Sequence, residues 1–295
     1  MIDVHQLAAL RRQTGALAPK RPANTDRLLV QVASLRRLLR VKSQVQPKVA
    51  AHQDRTIPGT QIAPGLWCDE TRITMPELAQ ATLVGDFDRR TDVPTKDLLF
   101  FDTETTGLAG GTGTRAFMIG ASDVVGDVLR IRQLTIATLA AETAMLKLFA
   151  TWLAPTTILV SYNGKSYDAP LLKTRYRMMR MPEPISCLEH VDLLYPTRRR
   201  YRGVHENCRL ATIERRVLGI VREDDLPGSE APGAWRGYLR GGSASLLRRV
   251  TAHNHQDVVT LANLALHMHA LAVSSEACSE RHPSSVCSNP ENQSA

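Results

Sequence analysis

Four acidic residues, with a histidine close to the last of them, are the strongest candidates for chemistry in this sequence. Asp102 and Glu104 end the apolar run DLLFFDTE (97–104) and are two residues apart, so on a strand both face the same side. Two carboxylates in such a place repel each other and lose hydration, a conflict that a divalent cation with oxygen ligands resolves. A strand that ends in a solvated turn has the same pattern, so this pair alone leaves both interpretations open.

The other two acids lie later in the chain. Asp168 follows the strand-like run TTILVSYN (156–163) and begins a helix, where it can also serve as the N-cap. His253 and Asp257 are four residues apart in HNHQDVVTL and therefore share one face of a helix. A single aspartate or histidine on a helix is usually solvated or incidental. Four acids on three different elements, two of which follow apolar strands, favour a metal site instead.

A regular succession of strands and helices would position these residues. The pattern predicts a helix at 141–153, another that begins at Asp168, and a long helix at about 243–272. Short apolar runs predict strands at 97–104, 115–125, 127–136, 156–163 and 187–194. Three strands in a meander followed by alternating helices and strands indicate an α/β fold, with a mixed five-stranded sheet flanked by helices.

The acidic segments resemble the three motifs of the DEDD 3′–5′ exonucleases. The first motif is matched by DTETTGL, which begins at Asp102, and the second by NGKSYD, from Asn163 to Asp168. The third is matched by HNHQD, from His253 to Asp257. The amino-acid sequence of the whole stretch from 97 to 272 is similar to that of the YprB-like ribonuclease-H-like domain family. The resemblance implies a ribonuclease-H-like sheet.

The resemblance also implies a set of metal ligands. In that family four acids bind two divalent cations, Mg²⁺ or Mn²⁺, at the scissile phosphate, which carries over to Asp102, Glu104, Asp168 and Asp257. His253 is the candidate general base, because imidazole titrates near neutral pH. It stands four residues before the last Asp, where one exonuclease subclass has tyrosine, and its alternative role is to orient water or a phosphate.

Several neighbouring residues are candidates for substrate contacts. Asp192, after the fifth predicted strand, is expected either to support the site or to cap a helix. The run RRRYR (198–202) can hold a phosphate backbone through Arg199 and Arg200, although a solvated helix end has the same composition. The resemblance adds four candidates beside the acids: Thr105, Gly107, Leu108 and Asn163. Leu108 is equally compatible with a position in the core or in a turn.

The charge of the chain is unevenly distributed. The formal net charge is +8, and the first 50 residues contain ten Lys or Arg but only two acidic residues. We predict a basic, partly helical N-terminal extension over 1–96, with its helix at 25–41, that packs loosely on the main domain or wraps it. A ribonuclease-H-like exonuclease domain follows over 97–272, and a disordered tail over 273–295. A basic balance is typical of proteins with a polyanionic partner.

Some classes of protein are disfavoured. No apolar run approaches the ~18–20 residues of a membrane span, and Asp3 and His5 do not suit a signal peptide. Five scattered cysteines are typical of free thiols in a reducing compartment, so a cytoplasmic location is expected.

These observations predict a metal-dependent 3′–5′ exonuclease that acts on DNA or RNA, with a single-stranded 3′ end as the expected substrate. Two alternatives stay open. One is a nucleic-acid-binding module with the same fold and little catalysis. The other is a structure-specific endonuclease that uses the same two-metal site.

Overall fold

The computed structural model describes residues 54–107, 111–223 and 225–280. The helix predicted at 25–41, the candidate Leu108 and residues 281–295 lie outside the described residues.

A seven-stranded mixed sheet forms the centre of the described part of the chain. In spatial order its strands are β1 (Thr60–Ala63), β2 (Leu66–Thr74), β7 (Val128–Ile136), β6 (Ala116–Val125), β5 (Leu98–Thr105), β8 (Ile158–Ser161) and β9 (Glu189–Asp192). Neighbouring strands are antiparallel from β1 to β5 and parallel from β5 through β8 to β9. The mixed α/β architecture is therefore as predicted, and all five predicted strands are present.

The prediction of only five strands was wrong. Strands β1 and β2 come from residues 60–74, which we expected to pack loosely, and β2 pairs with β7 along its whole length. Most residues of β1 and β2 are exposed or half-buried, and Asp69, Glu70 and Arg72 interrupt any apolar alternation. Strand β1 is the edge of the sheet and pairs with β2 only over residues 66–68, so polar residues are tolerated in both strands, and they carry little strand signal.

A separate hairpin and the helices cover the sheet. The hairpin pairs β3 (Thr82–Phe87) with β4 (Arg90–Pro94). The α-helices are α1 (Glu142–Ala150), α2 (Asp168–Met178), α3 (Leu194–Tyr201), α4 (Leu210–Ile213), α5 (Ala231–Leu239) and α6 (Ser245–Glu280). A π-helical turn, Glu214–Leu218, continues α4.

Alternating side chains of the central strand β5 divide the core into two parts. Leu99 and Phe101 pack in the cluster that contains residues of α1, α2 and α5. Leu98 and Phe100 pack in the other cluster, with apolar residues of α6 and of the β3–β4 hairpin. Because the side-chain period of a strand is two, Asp102 and Glu104 belong to the same face as Leu98, the face that α6 covers.

The last helix, α6, is longer than predicted. We expected a disordered tail from residue 273, but the helix continues to Glu280. By length and composition, part of α6 could cross a membrane, yet Val258, Leu261 and Leu264 are buried in the core beside the sheet.

Candidate active site

The predicted acids approach one another near the end of β5. Glu104 on β5 and the pair His253 and Asp257 on α6 place one potential ligand atom each within 4.8 Å of the others. The Nε2 atom of His253 is 3.4 Å from a carboxylate oxygen of Asp257. The predicted helix face shared by His253 and Asp257 is therefore confirmed, and this face is directed at β5.

Asp102 and Asp168 lie together beside this group. Both line a cavity of about 350 Å³ whose wall also contains Thr105, Gly107 and Asn163. Asp168, at the start of α2, accepts a hydrogen bond from the hydroxyl of Thr103 on β5. This hydrogen bond joins the first residue of α2 to the central strand.

The acids are close enough to disfavour one another's ionisation. Burial raises the pKa of Asp102 and of Glu104 well above the usual range, and the charges of Asp257 and Asp168 raise both further. Burial also raises the pKa of Asp168 to about 6. Such a cluster of carboxylates is stabilised by cations, and carboxylate oxygens are the ligands that Mg²⁺ and Mn²⁺ prefer.

An arginine that sequence analysis did not single out also reaches the site. Arg222 lies in the segment after the π-helical turn, and its guanidinium binds both carboxylate oxygens of the buried Glu214 at 2.7 and 2.5 Å. It also donates to Asp257, and its Nη1 is 3.1 Å from Nδ1 of His253. Arg222 was missed because it follows neither a strand nor a motif.

Asp225, three residues further on, contacts the histidine. Its carboxylate is 2.6 Å from Nδ1 of His253. A carboxylate at Nδ1 favours a proton on that nitrogen and fixes the orientation of the ring, with Nε2 on the side of Asp257. Asp225 was also missed by sequence analysis, since the acidic run EDD (223–225) is typical of a solvated loop.

Asn254 orients the first acid. It is completely buried, and its amide donates to Asp102 Oδ2 at 2.9 Å. Gln133 on β7 donates in turn to the Asn254 carbonyl at 2.9 Å. Gly120 lies opposite Asp102 on β6, and a Cβ atom there would be only 2.0 Å from the Asn254 carbonyl oxygen.

Substituting Gly120 by alanine is expected to disturb this arrangement. The added methyl group requires Asn254 to move, so Asp102 loses an oriented donor. Removal of such a supporting hydrogen bond typically lowers metal affinity or activity by about 10- to 100-fold. Divalent-metal affinity, measured by calorimetry, checks this expectation, with Gly113→Ala as the control because a Cβ there meets no atom within 4 Å. An unchanged affinity in Gly120→Ala would contradict the role given to Asn254.

The side chain of Asp192 forms hydrogen bonds with the backbone of the loop that contains the second motif. It is completely buried, and its carboxylate accepts backbone N–H groups of Asn163 at 2.7 Å and Lys165 at 3.1 Å. It also accepts the N–H of Leu194 at the start of α3. The two expectations for Asp192, a supporting residue and a helix cap, describe different bonds of the same carboxylate. Asn163 has a φ of 66°, a left-handed conformation that asparagine adopts more readily than most residues.

The remaining candidates are divided between the acidic cavity and another surface. Thr105 and Gly107 are in the cavity wall, and the Thr105 hydroxyl donates to the Gly107 carbonyl at 2.9 Å. Arg199 instead pairs with Asp86 of the β3–β4 hairpin, at 2.8 Å. Arg200 lines a different cavity, next to α6. The two arginines are therefore not brought to the acids, and their contact with substrate stays a prediction.

Comparison with known proteins identifies the family of the chain. A model of the RNase_H superfamily matches residues 99–269. The chain belongs to the RNase_H superfamily. It is 35% identical over 187 residues to the uncharacterized protein YprB of Bacillus subtilis (strain 168), a match that covers 63% of this chain and 45% of YprB. The resemblance to YprB-like proteins predicted from the motifs is thereby confirmed, and this RNase_H superfamily chain spans about half the length of that relative.

A solved structure is also similar. The family B DNA polymerase from the hyperthermophilic archaeon Pyrobaculum calidifontis matches 60% of this chain with 25% of its own, at 15% identity and a TM-score of 0.48.

Proposed function

We propose that this RNase_H superfamily chain is a metal-dependent nuclease that removes nucleotides from the 3′ end of single-stranded DNA or RNA. One observation carries the proposal. Four acids from three elements of the fold lie together: Glu104 and Asp257 offer ligand atoms within 4.8 Å of each other, and Asp102 and Asp168 line the cavity beside them. The 3′–5′ direction rests on the resemblance of the three motifs to those of the DEDD exonucleases.

The donor set fits two divalent cations, Mg²⁺ or Mn²⁺. Four carboxylates offset most of the positive charge of two such ions, and a substrate phosphate would supply further oxygen ligands. When bound, such a pair supplies an activated water molecule and stabilises the charge that develops on the phosphate and on the leaving oxygen.

The residues of the chain supply the rest of the chemistry. The Nε2 atom of His253 accepts the proton of the attacking water, while Asp225 holds the other ring nitrogen. Arg222, fixed by Glu214, lies beside Asp257 and His253 and offers a positive charge next to the reacting phosphate. Thr105, Gly107 and Asn163 form the wall against which the terminal nucleotide rests.

The proposal is tested by incubating the protein with end-labelled single- and double-stranded DNA and RNA in Mg²⁺ or Mn²⁺. We expect stepwise shortening of a 5′-labelled single strand, and no cleavage of a circular strand. Cleavage of the circle would instead indicate an endonuclease. Binding of all substrates without any hydrolysis would indicate a nucleic-acid-binding module and would overturn the proposal.

A further inference from the structure

A second, basic cavity lies next to the acidic one. It has a volume of about 510 Å³ and is formed where the chain passes from the end of α3 to the start of α4. Its charged walls are the side chains of Arg198, Arg202, Arg209 and Glu206. It is therefore separate from the positions of Arg199 and Arg200 described above.

The positive charges of the arginines in this cavity are not neutralised by nearby carboxylates. Glu206 is already paired with Arg215 at 2.5 Å and with Arg216 at 3.3 Å. Among the residues that the structure describes, Arg198, Arg202 and Arg209 have no carboxylate within ion-pair distance, and all three are exposed. Three guanidinium groups without counter-charges around one concave surface attract an anion, and their planar geometry suits a phosphate.

Tyr162 connects the two cavities. It lines the acidic cavity together with Asp102 and Asp168, directly after strand β8. Its hydroxyl donates to the backbone carbonyl of Cys208 at 2.6 Å, and Cys208 lines the basic cavity. The Arg198 charge also lies near enough to lower the pKa of Tyr162, although burial raises it more. A hydrogen bond of Tyr162 thus links the wall of the acidic cavity to the wall of the basic cavity.

We propose that Arg198, Arg202 and Arg209 bind a backbone phosphate of a single-stranded nucleic acid whose end occupies the acidic cavity. The inference rests on the proposed nuclease function and adds to it the place where the strand is held next to the reacting end. The strand passes the ring of Tyr162, on whose exposed part a base can stack. Because guanidinium groups bind phosphate and not base edges, this site does not discriminate sequence.

The test compares two triple variants of the full chain. R198Q/R202Q/R209Q removes the three charges of the basic cavity. K96Q/K147Q/R240Q removes three charges from exposed positions outside both cavities and is the matched control. Binding of a fluorescein-labelled 16-nucleotide single strand is measured by anisotropy at several salt concentrations, with Ca²⁺ in place of Mg²⁺.

The basic-cavity variant is expected to bind the strand roughly tenfold more weakly than the wild type. The slope of log K against log salt should be smaller by about one for each phosphate that the arginines no longer neutralise. The control should stay within about twofold of the wild type, since dispersed surface charges contribute little once salt screens them. Equal weakening in the two triple variants, or an unchanged slope in R198Q/R202Q/R209Q, would overturn the proposal. The single variant R202E gives an independent result if the triple variant folds poorly, and its binding must also fall.

A separate measurement distinguishes this proposal from the nuclease function. Hydrolysis of a dinucleotide in Mg²⁺ uses the acidic cavity alone, so R198Q/R202Q/R209Q should cleave it at the wild-type rate. If the variant cleaves the dinucleotide at the wild-type rate and also binds the long strand as tightly as the wild type, the basic site is contradicted and the nuclease function is not. If the wild-type protein hydrolyses no substrate but the variant binds the long strand more weakly, the basic site is supported and the nuclease function is contradicted.

Discussion

Asp102→Asn is expected to reduce the rate of phosphodiester hydrolysis by more than about 100-fold. Mutation of residues that only hydrogen-bond to metal ligands already lowers metal affinity or activity by about 10- to 100-fold, and Asp102 is proposed as a ligand itself. The substitution keeps the size of the side chain and an oxygen that can accept the hydrogen bond from Asn254. It removes the negative charge that a divalent cation requires. Initial rates with a 5′-labelled single strand in Mg²⁺ measure the effect.

The control for this variant is Asp127→Asn, which removes an exposed acid in the turn between β6 and β7. It should hydrolyse the strand at the wild-type rate. The unfolding temperature of Asp102→Asn without metal should be no lower than that of the wild type, because the buried charge is removed. Full activity of Asp102→Asn would show that hydrolysis does not depend on this carboxylate.

Divalent cations are expected to stabilise the wild-type protein strongly. A ligand at 100 times its Kd that binds only the folded state contributes about 2.7 kcal/mol. For a chain of this size that corresponds to an increase in unfolding temperature of roughly 5–10 °C. Thermal unfolding with Mn²⁺ and with EDTA at pH 7.5 measures the difference.

The stabilisation should depend on pH in a defined direction. The folded-state pKa of Asp168 is raised to about 6, and those of Asp102 and Glu104 are also raised. Groups with a raised folded pKa contribute stability that is fully present below their unfolded pKa, near 4, and is lost as pH rises through the folded value. Without metal, unfolding temperature should therefore fall between pH 5 and pH 7.5. The increase caused by Mn²⁺ should grow over the same range, because ligands must be deprotonated.

Two comparisons make this prediction specific. The double variant D102N/D168N should lose both the Mn²⁺ effect and most of the pH dependence, whereas Asp127→Asn should keep both. An equal Mn²⁺ effect in D102N/D168N and in the wild type would place the bound metal elsewhere on the protein.

The centre of the sheet was predictable because its strands are buried. DLLFFDTE and TTILVSYN are nearly continuous apolar runs, and β5 and β8 are indeed flanked on both sides by other strands. The edge strand β1 and its neighbour β2 were not predictable in the same way, since their exposed residues are mostly polar. Residues 76–97 likewise gave no sign that their hairpin supplies Asp86 to Arg199 and Asp88 to Lys165.

In the site, the acids and His253 were predictable because their spacing within strands and helices is local. Arg222, Asp225 and Glu214 were not, because their importance arises from contacts across the fold. Arg222 meets Asp257 across 35 positions of the chain. Gly120 is a further case, since only the position of Asn254 explains why no side chain fits there.

The sharpest test of the two-metal site is a crystal structure of the wild-type protein with Mn²⁺ and a nucleoside monophosphate. We expect two anomalous-scattering peaks about 4 Å apart, bounded by Asp102, Glu104, Asp168 and Asp257, with the phosphate of the nucleotide between them. We also expect His253 Nε2 on the side of the water that would attack. Absence of Mn²⁺ from these four carboxylates at saturating concentration, with metal or nucleotide bound elsewhere, would contradict the proposed nuclease site.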